Sequence, residues 1–264
     1  MIKSCQPERF NHTKIKGPAM NAALSESLFL FLFAFPNFIF ALTAHGFCKA
    51  LVAHLLGDST PKNYGFLTLN PLKQTHTLNI ALFLVAITIS QMIFKESSVV
   101  ALIALGLQSL GLTLFKEVPM DSSNFKKPDT HAALSLFAGP LGVLLYACIL
   151  FAGMRFLPFT VEGISQLGSL QNLAFTFFNE GSTIAIFLSI FTLIPLPPQT
   201  GGQIVLLLIP EEYEEIRDWY SQYGIMIFLG LLLIPGIRGN FLRFITIIAQ
   251  GIKIMIHALF FKLF

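Results

Sequence analysis

Residues 28–58, LFLFLFAFPNFIFALTAHGFCKALVAHLLGD, pass 29 positions from Leu28 to Leu56 without an acid, and a histidine and a lysine stand toward the far end. A bilayer core takes about 20 apolar residues per helical span, so this run predicts a membrane helix. It opens like the core of a signal peptide. It then continues past Ala44 into helix-forming sequence with no clear cleavage site, which predicts an uncleaved span. Its polar end carries the pentad His45-Gly46-Phe47-Cys48-Lys49. A helix turns about 100° per residue, so His45 and Lys49, four apart, share one face.

The rest of the chain extends the same pattern. Of 264 residues, 54% are hydrophobic and 12% charged, with 28 phenylalanines, the composition of a chain dissolved in lipid. Apolar run length predicts about six membrane segments, at 28–56, 78–94, 98–115, 132–157, 174–194 and 225–235 or 241–261. The fold class is therefore all-α, a multi-pass transmembrane bundle in contact with the lipid bilayer, in the cell or inner membrane if bacterial. Pro235-Gly236 and Arg238-Gly239 interrupt the last pair, which predicts a re-entrant piece followed by an amphipathic helix. Residues 1–26 form a polar, basic leader, with Met20 an alternative start to Met1, and 27–264 form a single membrane domain. The leader and Lys62 and Lys73 of the first loop pull to the same side of the membrane, which one span cannot satisfy.

The net charge of +3 is spread thinly, and no basic patch points to nucleic acid. Cys48 and Cys148 lie in apolar segments and Cys5 in the leader, which argues against a disulfide framework. The segment EEYEEIRDWYSQY at 211–223 sets five acids against Arg217. It reads as a solvated surface helix with Trp219, Tyr220 and Tyr223 at headgroup level.

Zinc hydrolases of the H-E-x-x-H kind use the four-residue spacing seen at His45 and Lys49. Two histidines hold the metal and the glutamate between them acts as general base on metal-bound water. The pentad alone matches this poorly. Four further blocks, in order, change its weight: ALVAHLLGDSTPKNYGFLTLNPLK at 50–73, FKEVPMDSSNFKKP at 115–128, LFAGPLGVLL at 136–145 and FTLIPLPPQTGGQIVLLLIP at 191–210. With these, the chain resembles the site-2 protease family of intramembrane zinc metalloproteases across most of residues 40–240. The resemblance keeps the backbone signatures: Gly57, Asn70-Pro71, Gly139-Pro140, Pro197-Pro198 and Gly201-Gly202 stand where the family pattern has glycine, proline or a turn residue. These residue types set chain direction, so the scaffold of the substrate groove is expected to persist.

The chemical positions are not kept. The resemblance places His45 at the first metal ligand, Gly46 at the general base, Lys49 at the second ligand and Thr200 at the third. Val143 and Thr192 stand where two supporting asparagines belong. Catalytic zinc takes three ligands from neutral imidazole, thiolate or carboxylate. Lysine brings a positive charge to a cation site, and threonine supplies no compensating negative one. No cofactor is expected, and zinc is expected only under the alternative below. A base contributes typically about 10²- to 10⁴-fold, and Gly46 has no side chain to supply it.

Rescue of the site would have to come from elsewhere. Cys48 lies about 60° from His45 on the helix and is a legitimate thiolate ligand; as a bland alternative it is a small buried apolar residue. His76 and His131 read as loop residues able to fold inward, whereas His54 lies about 180° round a regular helix. Lys49 either snorkels to the interface or fills the vacant metal position and hydrogen-bonds Thr200. Glu180 either caps the next helix near the interface or neutralises Lys49. These readings predict a proteolytically inactive site-2-protease-like membrane protein with a binding or regulatory role, its partner a transmembrane segment of another membrane protein. The alternative is an active intramembrane zinc metalloprotease with relocated ligands. A transporter would want a polar line through several spans or an inverted repeat, and the sequence has neither.

Overall fold

The computed structural model describes residues 17–75, 116–155 and 170–262; the predicted spans at 78–94 and 98–115, and His76, lie outside them. The described residues are all-helical, with eight α-helices and no strand. Helix α1 covers Gly17–Leu55, so the helix begins inside the polar leader. Two short helices follow, α2 (Thr60–Asn63) and α3 (Pro71–Gln74). The remaining helices are α4 (Pro128–Arg155), α5 (Leu170–Thr192), α6 (Thr200–Leu208), α7 (Glu214–Leu233) and α8 (Pro235–Lys262). Among the described residues, four segments are long and apolar enough to cross a membrane: Phe33–Leu55, Pro128–Arg155, Asn172–Thr192 and Gly236–Phe260.

Local chemistry sets the boundaries. Gly57 ends α1 with φ of 116°, a left-handed turn that glycine enters without a Cβ clash. Asn70 starts α3 by accepting the Leu72 N–H at 3.0 Å, with Pro71 at the first helical position. Pro128 opens α4, and Asp129 in its first turn complements the helix dipole. His131 therefore lies in the first turns of α4 rather than in a loop.

The expected break at Pro235-Gly236 is a junction between helices. The chain leaves helix at Ile234, and Pro235 opens α8, which runs 28 residues straight through Arg238-Gly239. Proline is disruptive inside a helix and favourable at its start. The second half of the predicted pair is thus one continuous helix, and its Gly236–Phe260 stretch is long and apolar enough to cross a membrane.

Helices α1, α4 and α5 pack mutually, α8 lies against α5 and α4, and α6 lies against α4. Ala41, Leu42, Val143, Ala147, Phe151, Ala185, Ile186 and Ala249 fill the shared core. In lipid the hydrophobic effect does not drive helices together, so close approach and internal hydrogen bonds must. Small residues supply the approach: a methyl added at Gly142 would stand 2.5 Å from the Cys48 Sγ, and one at Gly139 would stand 2.6 Å from the His45 Nε2. Asn37, fully buried on α1, supplies the hydrogen bonds. Its amide donates to the Phe33 carbonyl at 2.8 Å and to the Phe177 carbonyl at 3.2 Å, and its oxygen accepts from the Tyr146 hydroxyl at 2.8 Å. One side chain thereby joins three helices.

Candidate functional site: the His45 cage

The site forms where α1, α4, the turn before α6 and the loop segments 66–75 and 116–121 meet. Helix α1 presents His45, Gly46 and Lys49. Gly139 of α4 lies against the imidazole, close enough that only glycine fits there. Pro140 lacks an N–H to hold the helix, but its carbonyl accepts the Ser189 hydroxyl of α5 at 2.9 Å, which ties the two helices beside the site.

The turn at 193–200 brings in Thr200. The Pro197-Pro198 bond is cis. A Cβ at Gly201 would overlap the Leu193 carbonyl and one at Gly202 would overlap the Pro197 backbone, so the glycine pair lets α6 start directly on the turn. Thr200, 6% exposed, is thereby aimed at α1. Its hydroxyl lies 3.3 Å from His45 Nε2. A residue from the acidic segment supports the same turn: the Tyr220 hydroxyl donates to the Pro195 carbonyl at 2.6 Å. Burial raises the Tyr220 phenol above its ordinary range. Trp219 and Tyr223 are exposed, whereas Tyr220 is half-buried.

Lys49 does not pair with Thr200. Its side chain is 5% exposed, and its countercharge is Glu117. Glu117 in turn accepts from the Gln203 amide of α6 at 2.8 Å. The difference from expectation has two parts: the Thr200 hydroxyl is taken up by His45, and the chain at 116–121 supplies the Glu117 charge that acts on Lys49. Glu180 lies inside α5 and neither caps it nor serves Lys49. Its electrostatic partner is Lys253 of α8, which donates to Asn179 Oδ1 at 3.0 Å and to Thr183 Oγ1 at 2.7 Å.

The space beside Gly46 is filled from outside the helix. Gln74, 1% exposed, donates from its amide to the carbonyls of Thr68 at 2.6 Å and Phe66 at 3.3 Å. These bonds aim its carboxamide oxygen at Gly46, where an added Cβ would overlap it. A β-bridge-like bond from the Lys116 N–H to the Gln74 carbonyl, 2.8 Å, fixes the backbone. The chain at 116–121 is held in turn by Asp58, which accepts the Asp121 N–H at 2.9 Å, the Thr60 N–H at 2.9 Å and the Asn124 amide at 3.0 Å. Burial disfavours the Asp58 charge, but these hydrogen bonds outweigh it and hold the carboxyl below its ordinary range.

The other residues marked in the sequence fall as follows. Cys48 packs its sulfur over Gly142 of α4. His131 stacks edge-on to Phe125 and its Nδ1 is buried without a hydrogen bond. His54 sits at the end of α1, 3.5 Å from the Ser59 hydroxyl. Val143 is fully buried in the core, and the Thr192 hydroxyl bonds back to the Ser189 carbonyl at 3.0 Å. Among the described residues no group of three His, Cys, Asp or Glu side chains converges on one point. The donor set around His45 is a hydroxyl, an ammonium and a carboxamide, and this set does not fit a zinc ion. Beside the cage a cleft of about 570 Å³ opens between the segment 117–122, α4 and α6, lined by Glu117, Val118, Met120, Leu136, Gln203 and Leu207.

Sequence reasoning missed Gln74, Glu117, Gln203 and Tyr220. Gln74 and Gln203 lie on short helices, Glu117 in a loop and Tyr220 on the longer α7, and no spacing rule links them to a site on α1.

No family model matches the chain, and no solved structure matches it. Among curated proteins it is similar to one from Bacillus subtilis (strain 168) named "Putative zinc metalloprotease YwhC", at 28% identity over 197 residues, 75% of this chain and 78% of that protein.

Proposed function

We propose that the chain is a multi-pass membrane protein of site-2-protease-like architecture whose cage binds without hydrolysing, the pseudoprotease of a family of intramembrane zinc proteases. Its function is to hold an apolar, extended transmembrane segment of another membrane protein. The likeness to a protein named as a zinc metalloprotease supports the scaffold. One observation carries the non-catalytic half: the space beside Gly46, where a general base would project, is occupied by the Gln74 carboxamide. Thr200 engages the lone imidazole, and Lys49 holds its charge against Glu117. The cage is thus closed by the chain's own hydrogen bonds and charges.

The 570 Å³ cleft beside the cage is of the size that small binding sites have, about 300–1,000 Å³, and its lining mixes apolar walls with Glu117 and Gln203. Such a lining suits an extended backbone with apolar side chains. The second reading, a metalloprotease with relocated ligands, rests on the relative's name. It would require Cys48 to leave its seat on Gly142.

Full-length protein in lipid nanodiscs, supplied with zinc and mixed with a fluorogenic apolar peptide, tests this. Saturable binding is expected, with hydrolysis no faster than in His45→Ala. Hydrolysis that His45→Ala abolishes would establish the enzyme reading, and absence of binding would remove the proposed role.

A further inference from the structure

We propose that Gln74 is a built-in wedge: its carboxamide occupies the volume that any side chain at position 46 would enter, so the helix cannot regain a group there while Gln74 keeps its length and hydrogen bonds. The proposal rests on the reading of the cage as a remnant metalloprotease site. It adds that restoring the missing groups on α1 and α6 is not sufficient.

Three features of the fold converge on this. Gln74 is buried, and its amide is spent on the Thr68 and Phe66 carbonyls, so the oxygen has one direction in which to point. Its backbone cannot retreat, because the Lys116 N–H holds its carbonyl and the Asn70 cap with Pro71 fixes the turn that presents it. The contact falls on the one α1 residue of the pentad that lacks a Cβ, and the next neighbour there, Val118 Cγ2, is an ordinary 3.8 Å away. Among the described residues, Gln74 alone crowds a Cβ at position 46. Glycine inside a helix is otherwise unfavourable relative to alanine, so its presence at 46 has a steric reason in this contact.

Because helix propensity favours alanine, the wedge predicts a reversal of sign. In full-length protein in nanodiscs, Gly46→Ala lowers the thermal midpoint while Gln74 is present. In a Gln74→Ala background the same Gly46→Ala change raises it. Equal shifts in both backgrounds, of either sign, overturn the wedge. Should Gly46→Ala fail to accumulate as folded protein, its recovery in the Gln74→Ala background supports the wedge, and failure in both overturns it.

A second arm uses zinc alone as probe. The triple change Gly46→Glu, Lys49→His, Thr200→Asp is expected to bind zinc at well below one ion per chain, and addition of Gln74→Ala is expected to bring it to one. Equal zinc in triple and quadruple variants overturns the wedge. Stoichiometric zinc in the unaltered chain instead overturns the reading of the cage as inactive, and leaves the midpoint comparison to judge the wedge by itself.

Discussion

Helix α1 carries two polar sites eight residues apart, about 12 Å along the axis, and they are built on opposite principles. At Asn37 every hydrogen-bonding direction the side chain uses is met at 2.8–3.2 Å by a partner on α1, α4 or α5. At His45 one contact of 3.3 Å reaches Thr200, and the neighbouring charge is balanced from a loop. A satisfied polar group in lipid is a fastener, since no water competes for its bonds. A loosely satisfied one contributes little to holding the helices. The two sites should therefore respond differently to substitution.

The largest response is expected at the fastener. Asn37→Ala leaves the Tyr146 hydroxyl without its acceptor and the Phe177 carbonyl without its donor, and should lower stability by about 2 kcal/mol in a denaturant titration in mixed micelles. A loss below about 0.5 kcal/mol would erase the distinction between the two sites.

Asp58 sharpens the comparison from outside the spans. Its folded carboxyl titrates below the ordinary value of 3.8. Its contribution is therefore complete above about pH 4 and drains away as the pH falls through the lower folded value. Asp58→Asn should cost about 1 kcal/mol at neutral pH and should flatten the acid limb of a stability–pH curve. A native curve already falling between about pH 7 and pH 5 would assign the loss to another group. The smallest response is expected in the cage, where Thr200→Val should change stability by no more than about 0.5 kcal/mol, given a single long contact.

The sequence makes legible those parts of the fold that depend on residue type at a local position. Leu28–Leu56 announces its span by apolar length, and Gly57, Asn70-Pro71 and Gly201-Gly202 announce turns by backbone freedom or restriction. Pro235 marked a boundary correctly, but whether a proline breaks one helix or begins another depends on which side the helix lies, and both flanks are apolar. In the cage, His45 stands out in the sequence as the retained position of the expected motif and Gly46, Lys49 and Thr200 as departures from it, and the fold brings His45 and Thr200 together. The partners that complete the site were not visible. Gln74 reaches Gly46 across 28 residues, and Glu117 reaches Lys49 across 68. Each is placed by bonds to a backbone carbonyl or to another loop, which leave no periodic trace in the chain.

Metal content of the full-length protein, purified from cells grown with zinc and without chelators, tests the central claim most directly. Filling of the cage by Thr200, Lys49 and Gln74 predicts zinc far below one ion per chain and no change on His45→Ala. One zinc per chain, lost on His45→Ala, would contradict it.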